Sequence, residues 1–440
     1  MRQRLRSSYD RAILRLAVPA FGALVAEPVY ILTDTAIVGH LGTAQLAGLA
    51  IASAIILTAH ALLIFLAYGT TGSVARLIGA GDEVTAAHLA VQALWVAVGL
   101  GVMVGAAFLV GADALVGLFD ADAEVAGYAT TYLRISAVGM PALLLTLAGT
   151  GYLRGLQDTR TPLAVAVGTA VLNLVLEVVM VFGLDLGVPG SAWSTVIAQV
   201  VGAAVYLRVV LGAAHRTGAG LWPQRAGVLL SARSGVALFV RTAALRGAFL
   251  TATFVATGLG RVDLAAHQIG YEVWALLALA VDAVAIAGQA LTGRFLGAGR
   301  SDVERAAADR MIELSVAFGT VIGLLLLVVR TPVAGIFTDD PAVALAAAFV
   351  LVHVGLMQPL NGVVFALDGV LIGAGDLRWL AGAMLVAAAA FGVCALLVSI
   401  TGAGLGWLWG ALWVLMIARA ATLVYRYRQG RWISVGVKAP

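Results

Sequence analysis

The segment Pro141–Arg160 (PALLLTLAGTGYLRGLQDTR) returns 218 residues later as Pro359–Arg378 (PLNGVVFALDGVLIGAGDLR). The two copies share a proline, two glycines, an aspartate and an arginine at matched positions, without a gap. The same offset recovers turn residues elsewhere: Leu41-Gly42 as Leu259-Gly260, Gly79-Ala80-Gly81 as Gly297-Ala298-Gly299, and Gly117 with Phe119 as Gly335 with Phe337. A fixed offset across several loops indicates two tandem copies of one unit in the same orientation.

The composition is that of a polytopic helical membrane protein. Of the 440 residues, 62% are apolar and 11% are charged, whereas soluble domains carry roughly 25% charged residues. The mean hydropathy is +1.01. The apolar runs are continuous, which excludes the alternating strands of an outer-membrane barrel. The single cysteine, Cys394, excludes a disulfide framework and a cysteine-based zinc site.

Apolar runs between charged or turn-forming breaks predict twelve transmembrane helices. They lie near 13–38, 46–75, 86–110, 128–153, 162–184, 190–212, 236–258, 264–292, 308–330, 343–370, 379–401 and 405–425. The repeat predicts an N-terminal lobe over 1–212, a cytoplasmic linker over 213–235, a C-terminal lobe over 236–426 and a basic cytoplasmic tail over 427–440. Two six-helix lobes of this kind are typical of secondary transporters.

Arginine is concentrated in every second loop, which predicts the orientation of the chain. The basic loops contain Arg76, Arg154, Arg160, Arg208, Arg216, Arg225, Arg233, Arg294, Arg300, Arg305, Arg310 and Arg378. The alternate loops are short and acidic, with Asp113, Asp120, Asp122, Glu124, Asp185, Asp263, Asp339 and Asp340. By the positive-inside rule, the basic loops and both termini are expected in the cytoplasm, in a multi-pass protein of the cell (inner) membrane.

Several polar residues fall inside the predicted spans of the first half. Tyr30 and Asp34 lie four residues apart in the first span, and Asn173 and Glu177 lie four apart in the fifth, so each pair shares a helix face. Thr195 in the sixth span is a weaker candidate, because threonine often bonds its own helix backbone. These groups could bind a small cation or pass a proton. The alternative is that they are neutral, hydrogen-bonded contacts between helices.

The first span also contains two prolines, Pro19 and Pro28, each of which removes a backbone hydrogen bond and permits a bend. Glu27 directly precedes Pro28. We expect the Glu27 carboxyl to satisfy backbone groups that the proline leaves unpaired.

The second half carries different acids. Asp282 and Asp368 lie in its spans, but their repeat partners are Ile64 and Thr150. Conversely, Asp34 and Glu177 correspond to Ala252 and Ala395. The scaffold is therefore duplicated and the acids are not, which is compatible with two sites of separate roles or with simple hydrogen bonding by the second pair.

The sequence carries no recognisable catalytic motif of an enzyme. It has no Walker loop, and Gly297-Ala298-Gly299 is too short and wrongly placed for a dinucleotide fold. No closely spaced histidine and cysteine set predicts a metal centre, and the net charge of +4 is no nucleic-acid signature. We expect no cofactor and no nucleic-acid partner.

Four segments of the first half and its repeat resemble the multidrug and toxic compound extrusion (MATE) family. They are Asp34-Thr35-Ala36-Ile37-Val38-Gly39-His40-Leu41-Gly42, the paired Gly-Ala-Gly turns, Gly151-Tyr152-Leu153-Arg154-Gly155 and the Asn173–Glu177 segment. The second half, through Ala265–Ile269, Asp282 and Asp368-Gly369-Val370, resembles its DinF-like branch. The resemblance spans residues 11–426. It implies an all-α V-shaped fold of two six-helix lobes and export of organic or amphipathic compounds by alternating access, driven by proton or sodium influx.

The resemblance also implies site residues. Asp34, Asn173, Glu177 and Thr195 occupy the positions of the family's N-lobe cation site, Tyr30 and Pro19 match its first helix, and Asp282 and Asp368 match acids of supporting role. Glutamate at 177 replaces the aspartate of archaeal members. Its longer side chain favours proton over sodium coupling. We expect a monomer in contact with membrane lipids.

Three other functions fit a polytopic chain less well. A flippase for lipids or lipid-linked precursors would share the architecture and would need a hydrophilic, strongly charged cavity. A membrane-embedded lipid-modifying enzyme would need a nucleophile or metal cluster. A channel would need a continuous pore, whereas doubled lobes with acids in the spans suit alternating access.

The predicted topology can be tested by cysteine labelling after Cys394 is replaced by alanine. We expect an impermeant thiol reagent to label Asp122→Cys from outside intact cells and Arg300→Cys only after the cytoplasmic face is opened. Labelling of both positions from outside would contradict the model of cytoplasmic termini.

Overall fold

The computed structural model describes residues 2–434 and 436, with side chains for all of these except 2–8, 226 and 229–234. The described residues form helices and no strand. The helices are α1 (Arg2–Gly39), α2 (Thr43–Leu63), α3 (Phe65–Gly79), α4 (Glu83–Gly117), α5 (Ala123–Gly155), α6 (Arg160–Val178), α7 (Gly187–Thr217), α8 (Arg225–Leu259), α9 (Arg261–Gly297), α10 (Ser301–Phe337), α11 (Pro341–Gly373), α12 (Leu377–Thr401) and α13 (Leu405–Gln429).

Twelve segments of the described chain are long and apolar enough to cross a membrane, with α2 and α3 together forming one of them. The protein is therefore an all-helical multi-pass membrane protein, as the apolar runs predict. The segments are longer than predicted at several ends. The fourth, for example, covers Ala123–Gly155 rather than 128–153.

The helices repeat the 218-residue offset of the sequence. Four helices of the second half begin 218 residues after their counterparts in the first half. Helices α9, α10, α11 and α13 begin at Arg261, Ser301, Pro341 and Leu405, and their counterparts are α2, α4, α5 and α7 in that order. The two halves thus place their helix boundaries in the same register along the chain.

A matched pair of aspartates explains one of these boundaries. Asp122 accepts hydrogen bonds from the backbone N–H groups of residues 124 and 125 at the start of α5. Its repeat partner Asp340 accepts from residues 342 and 343 at the start of α11. An aspartate at this position satisfies backbone donors that have no partner within the helix, so it fixes where the helix begins.

The halves also differ in two local features. The first half breaks at Ile64 between α2 and α3, whereas α9 is continuous through the equivalent position, Asp282. The fifth span continues beyond α6 as a π-helical turn over Val179–Gly183, which begins two residues after Glu177. π-turns of this kind are frequent at functional sites.

The segment between the halves is largely helical. Within the predicted linker 213–235, α7 extends to Thr217 and α8 begins at Arg225. At the other end of the chain, Trp432 is buried and stacks on Tyr427, with ring centroids 5.2 Å apart. Lys438, in the predicted basic tail, lies outside the described residues.

The chain divides into two compact units. The first unit comprises Gly22–Gly235. The second unit comprises the described residues from Val236 onward together with α1 up to Phe21. In the second unit, Arg310 of α10 forms a bidentate ion pair with Asp10 of α1, at 2.6 and 2.9 Å. Helix α1 runs through Pro19 and Pro28 without interruption and contributes to both units.

Glycines allow α4 to cross α5, and α10 to cross α11, at backbone distance. A Cβ on Gly101 of α4 would overlap the backbone of Pro141 in α5. The repeat crossing of α10 and α11 is equally tight, because a Cβ on Gly319 would lie 2.5 Å from the carbonyl oxygen of Gln358, next to Pro359. Small residues at helix interfaces permit this approach in membranes.

We expect Gly101→Ala to destabilise the protein, because the added methyl meets the Pro141 backbone and overpacking costs about 1–3 kcal/mol. Gly99→Ala is the matched control on the same helix, since nothing lies within 4 Å of the Cβ it would add. The melting temperature in mild detergent should fall for the first variant and be unchanged or higher for the second. Equal melting of the two variants would contradict the crossing.

Candidate functional site

The structure brings together the five polar residues predicted in the first half. Tyr30 and Asp34 lie on α1, Asn173 and Glu177 on α6, and Thr195 on α7. Asp34 is 5% exposed, Asn173 is 2% exposed and Glu177 is fully buried. Three helices therefore converge on one buried polar site.

The Asp34 carboxylate is held by hydroxyl groups. Ser191 donates from Oγ to Oδ1 of Asp34 at 2.5 Å, and the Tyr132 hydroxyl donates to Oδ2 at 3.4 Å. Asp34 thus links α1 to α5 and α7.

A second set of bonds involves the neighbouring hydroxyls and the amide. The Tyr30 hydroxyl lies 2.7 Å from Oγ1 of Thr195. The Asn173 amide donates to Oγ of Ser194 at 3.2 Å and to Oγ1 of Thr195 at 3.3 Å. Thr195 is therefore the common partner of α1 and α6.

Glu177 differs from Asp34 in its surroundings. Neither of its carboxyl oxygens accepts a hydrogen bond from the described residues, and it lies within electrostatic range of the Asp34 carboxyl. A buried carboxylate without donors is costly, and a second carboxylate nearby adds repulsion. Chemically, the pair can take up one proton or one small cation.

A cavity of about 300 Å³ opens beside this site in the first unit. Tyr30, Asp34, Asn173 and Thr195 line it, whereas Glu177 is not among its lining residues. Most of the remaining lining is apolar, from Leu24, Ile31, Leu57, Met140, Leu143 and Leu147. The cavity can therefore admit an apolar or amphipathic molecule next to the polar site.

The bonding of Glu27 to backbone groups beside Pro28 stays a prediction, but Glu27 has a side-chain partner. Its carboxylate forms an ion pair with Nδ1 of His60 on α2 at 2.9 Å, and both residues line the cavity. Glu27 thus pairs with a side chain of the next span. The sequence distance of 33 residues gave no indication of this contact.

Sequence reasoning missed three residues of the site: Ser191, Ser194 and Tyr132. Ser191, Ser194 and Thr195 lie at i, i+3 and i+4 on one face of α7, a spacing that could have been recognised. Tyr132 carries no such signal, because only the packing of α5 against α1 brings it to Asp34.

The equivalent positions of the second half contain no such site. Ala252, Phe391 and Ala395, the repeat partners of Asp34, Asn173 and Glu177, are apolar and at most 1% exposed. The same helical framework thus surrounds polar groups in one unit and an apolar core in the other.

The two predicted acids of the second half lie in the second unit. Asp368 on α11 is buried and forms ion pairs with Arg241 of α8 and with Arg419 of α13, the latter at 2.7 Å. Asp282 lies half-buried on α9. The two arginines were missed, because sequence alone does not show which span faces which acid.

No group of three or more His, Cys, Asp or Glu side chains that could hold a metal ion occurs in the part of the chain that the structure describes. Any cation at the first-half site would therefore be bound by two carboxyls, an amide and hydroxyls.

Twelve apolar spans in two repeats, with carboxyls buried inside them beside a cavity, define a membrane transporter. The MatE family model matches residues 19–179 and 238–421. Protein DETOXIFICATION 44, chloroplastic, of Arabidopsis thaliana is 31% identical over 96% of this chain and 83% of its own length. DNA damage-inducible protein F of Escherichia coli K12 is 30% identical over 97% of this chain and 95% of its own length.

A crystal structure of MATE in the bent conformation has the same fold, with a TM-score of 0.86 and 22% identity over 98% of this chain and 96% of that one. The chain belongs to the MATE family, whose members are transporters for multidrug and toxic compound efflux and not enzymes.

We expect Asp368→Asn to destabilise the second unit by about 3–5 kcal/mol, because it leaves two buried arginines without their shared countercharge. Asp113→Asn is the matched control, since Asp113 pairs with Arg134 at an exposed position where an ion pair contributes at most about 1 kcal/mol. Melting in mild detergent measures both. Similar small shifts for the two variants would show that the buried cluster adds no stability.

Proposed function

We propose that this protein is a proton-coupled antiporter that exports organic or amphipathic compounds by alternating access. The observation that carries the proposal is the fully buried Glu177 carboxyl, without a described hydrogen-bond donor, beside the hydroxyl-bonded Asp34. Two adjacent carboxyls of unequal surroundings share one proton readily, because the second negative charge is the costly one.

The absence of a cationic partner supports this role. Among the described residues, neither Asp34 nor Glu177 bonds to an arginine, lysine or histidine, whereas Asp368 is held by two arginines. Protonating a carboxyl that is held by arginines would leave buried cations without their countercharge. A carboxyl held by hydroxyls can gain or lose a proton without leaving a buried cation unpaired.

Sodium is the alternative ion. Asp34, Asn173, Glu177 and Thr195 carry oxygens for such a site, and a hard cation takes oxygen ligands in a defined cage, about five or six for sodium. Glutamate at 177 adds a rotatable bond, which loosens a cage and scarcely affects proton binding. The glutamate at 177 therefore favours proton over sodium coupling.

Helix α1 is the element through which the proton would act. It carries Tyr30 and Asp34, which bond to α5 and α7, and Pro19 and Pro28 remove two of its backbone hydrogen bonds. Protonation of Asp34 weakens its charge-assisted bonds to Ser191 and Tyr132. The bend of α1 then changes, and with it the space in the cavity, so that cargo is released outward.

The apolar lining of the cavity supports organic cargo over a lipid-linked precursor with a large charged head group. The proposal further includes a monomer in the cell membrane with both termini in the cytoplasm. No resident cofactor is invoked, because the transmembrane ion gradient supplies the energy.

The coupling can be tested in proteoliposomes with ethidium as the transported probe. In sodium-free buffer, a pH gradient should drive transport by the wild type, Asp34→Asn should abolish it, and Glu177→Gln should flatten its pH dependence. Asp113→Asn, an exposed carboxyl-to-amide change, should transport like the wild type.

A second measurement makes the test independent of the cargo. Purified Asp34→Asn and Glu177→Gln should take up fewer protons than the wild type on acidification in weak buffer, while remaining folded. Full transport by a folded Asp34→Asn protein would place the coupling site elsewhere. Transport that stops without sodium and returns on its addition, at equal pH on both sides, would assign sodium instead.

A further inference from the structure

Arg246 on α8 has an unusual position for a charged side chain. It lies 11 residues after the start of the Gly235–Leu259 span and 13 before its end, so it is roughly 16–20 Å from either end at 1.5 Å per residue. Despite this depth, its side chain is exposed. The neighbouring Gly247 also faces open space, with nothing within 4 Å of an added Cβ.

Arg246 has no acidic partner among the described residues. Its hydrogen bond goes from Nη1 to the neutral Tyr271 hydroxyl of α9, at 3.0 Å. By contrast, Arg241, five residues earlier, and Arg419 both hold Asp368. The nearby carboxylate of Glu272 accepts from Gln268 on its own helix at 2.8 Å.

An unpaired guanidinium at mid-membrane depth is costly against lipid, and charged side chains there almost always face protein or a water-filled cavity. Since Arg246 is exposed, we infer that its guanidinium faces water. It therefore presents most of its five N–H donors to whatever enters that water. A planar guanidinium matches a carboxylate in a bidentate geometry.

The ring that carries the Tyr271 hydroxyl belongs to a cluster of three aromatic side chains. The Tyr271 ring is 5.2 Å from Phe249 and 6.3 Å from Trp274, and Phe249 is 4.6 Å from Trp274, all measured between centroids. Phe249 and Trp274 are buried and Tyr271 is half-buried, so the cluster is fixed by packing. Because Tyr271 accepts from Arg246, its own hydroxyl proton is free to donate to a bound anion.

We propose that Arg246 and Tyr271, backed by Phe249 and Trp274, form a binding site for the carboxylate of an aromatic organic acid in the second unit. Arg246 and the Tyr271 hydroxyl bind the carboxylate, and the half-buried Tyr271 ring contacts the planar part of the ligand. That such an acid is exported cargo rests on the proposed function, whereas the binding site does not.

The test is equilibrium binding of radiolabelled benzene-1,4-dicarboxylate to the full-length protein in nanodiscs, without any ion gradient. We expect Arg246→Gln to weaken binding at least about tenfold, and Arg246→Lys to weaken it less, because lysine keeps the charge and loses the bidentate geometry. Tyr271→Phe should weaken binding by a few fold. Arg330→Gln, an exposed arginine bonded to a backbone carbonyl, is the control and should bind like the wild type.

Two ligands sharpen the result. Benzene-1,4-dicarboxamide, which has the same shape without charge, should not compete, and ethidium should not compete either. Four outcomes would each overturn the site. They are equal competition by the diamide, displacement by ethidium, unchanged binding by a folded Arg246→Gln or Arg246→Lys protein, and no binding by the wild type. Intact binding without gradient-driven transport would instead count against the proposed antiport.

Discussion

A carboxyl group inside a membrane-spanning helix must be neutralised, because ionic charge is expensive where water is scarce. The chain meets this constraint in two ways. Asp368 is held between Arg241 and Arg419, so its negative charge faces two positive ones and α8, α11 and α13 are joined. Asp34 is held by hydroxyls and Glu177 has no hydrogen-bond donor among the described residues, so neither is paired with a cation there. The first arrangement joins three helices, and the proposed ion coupling rests on the second.

Much of the fold could be predicted from the sequence, because its determinants are local. Continuous apolar runs mark the spans, and the repeated turn residues mark where helices begin. Asp122 and Asp340 are the clearest case, since each bonds backbone groups two and three residues away. Helix interruptions were harder to predict. No local sequence pattern indicated the break at Ile64 or the π-turn after Glu177.

The candidate site was partly predictable for a different reason. Asp34 and Glu177 stand out because acids are rare inside apolar spans, and Asn173 stands out by its spacing from Glu177. Their partners did not stand out. Ser191 and Tyr132 are ordinary residues in a helix, and the contacts of Glu27 with His60 and of Asp368 with Arg241 join distant parts of the chain. Such pairs depend on which helix faces meet, which the packing decides.

The glycine crossings bear on how the two halves diverged. At Gly101 against Pro141 and at Gly319 against Gln358, backbone meets backbone, and no side chain can be introduced without moving a helix. A larger residue at either position would damage its own half, and glycine stands at both. Positions such as 34 and 252 carry no such penalty, and one copy keeps an aspartate while the other has an alanine of almost no exposure. Steric constraint at a few crossings thus fixes the residues of the helical framework in both halves, whereas the polar residues inside the spans can differ between them.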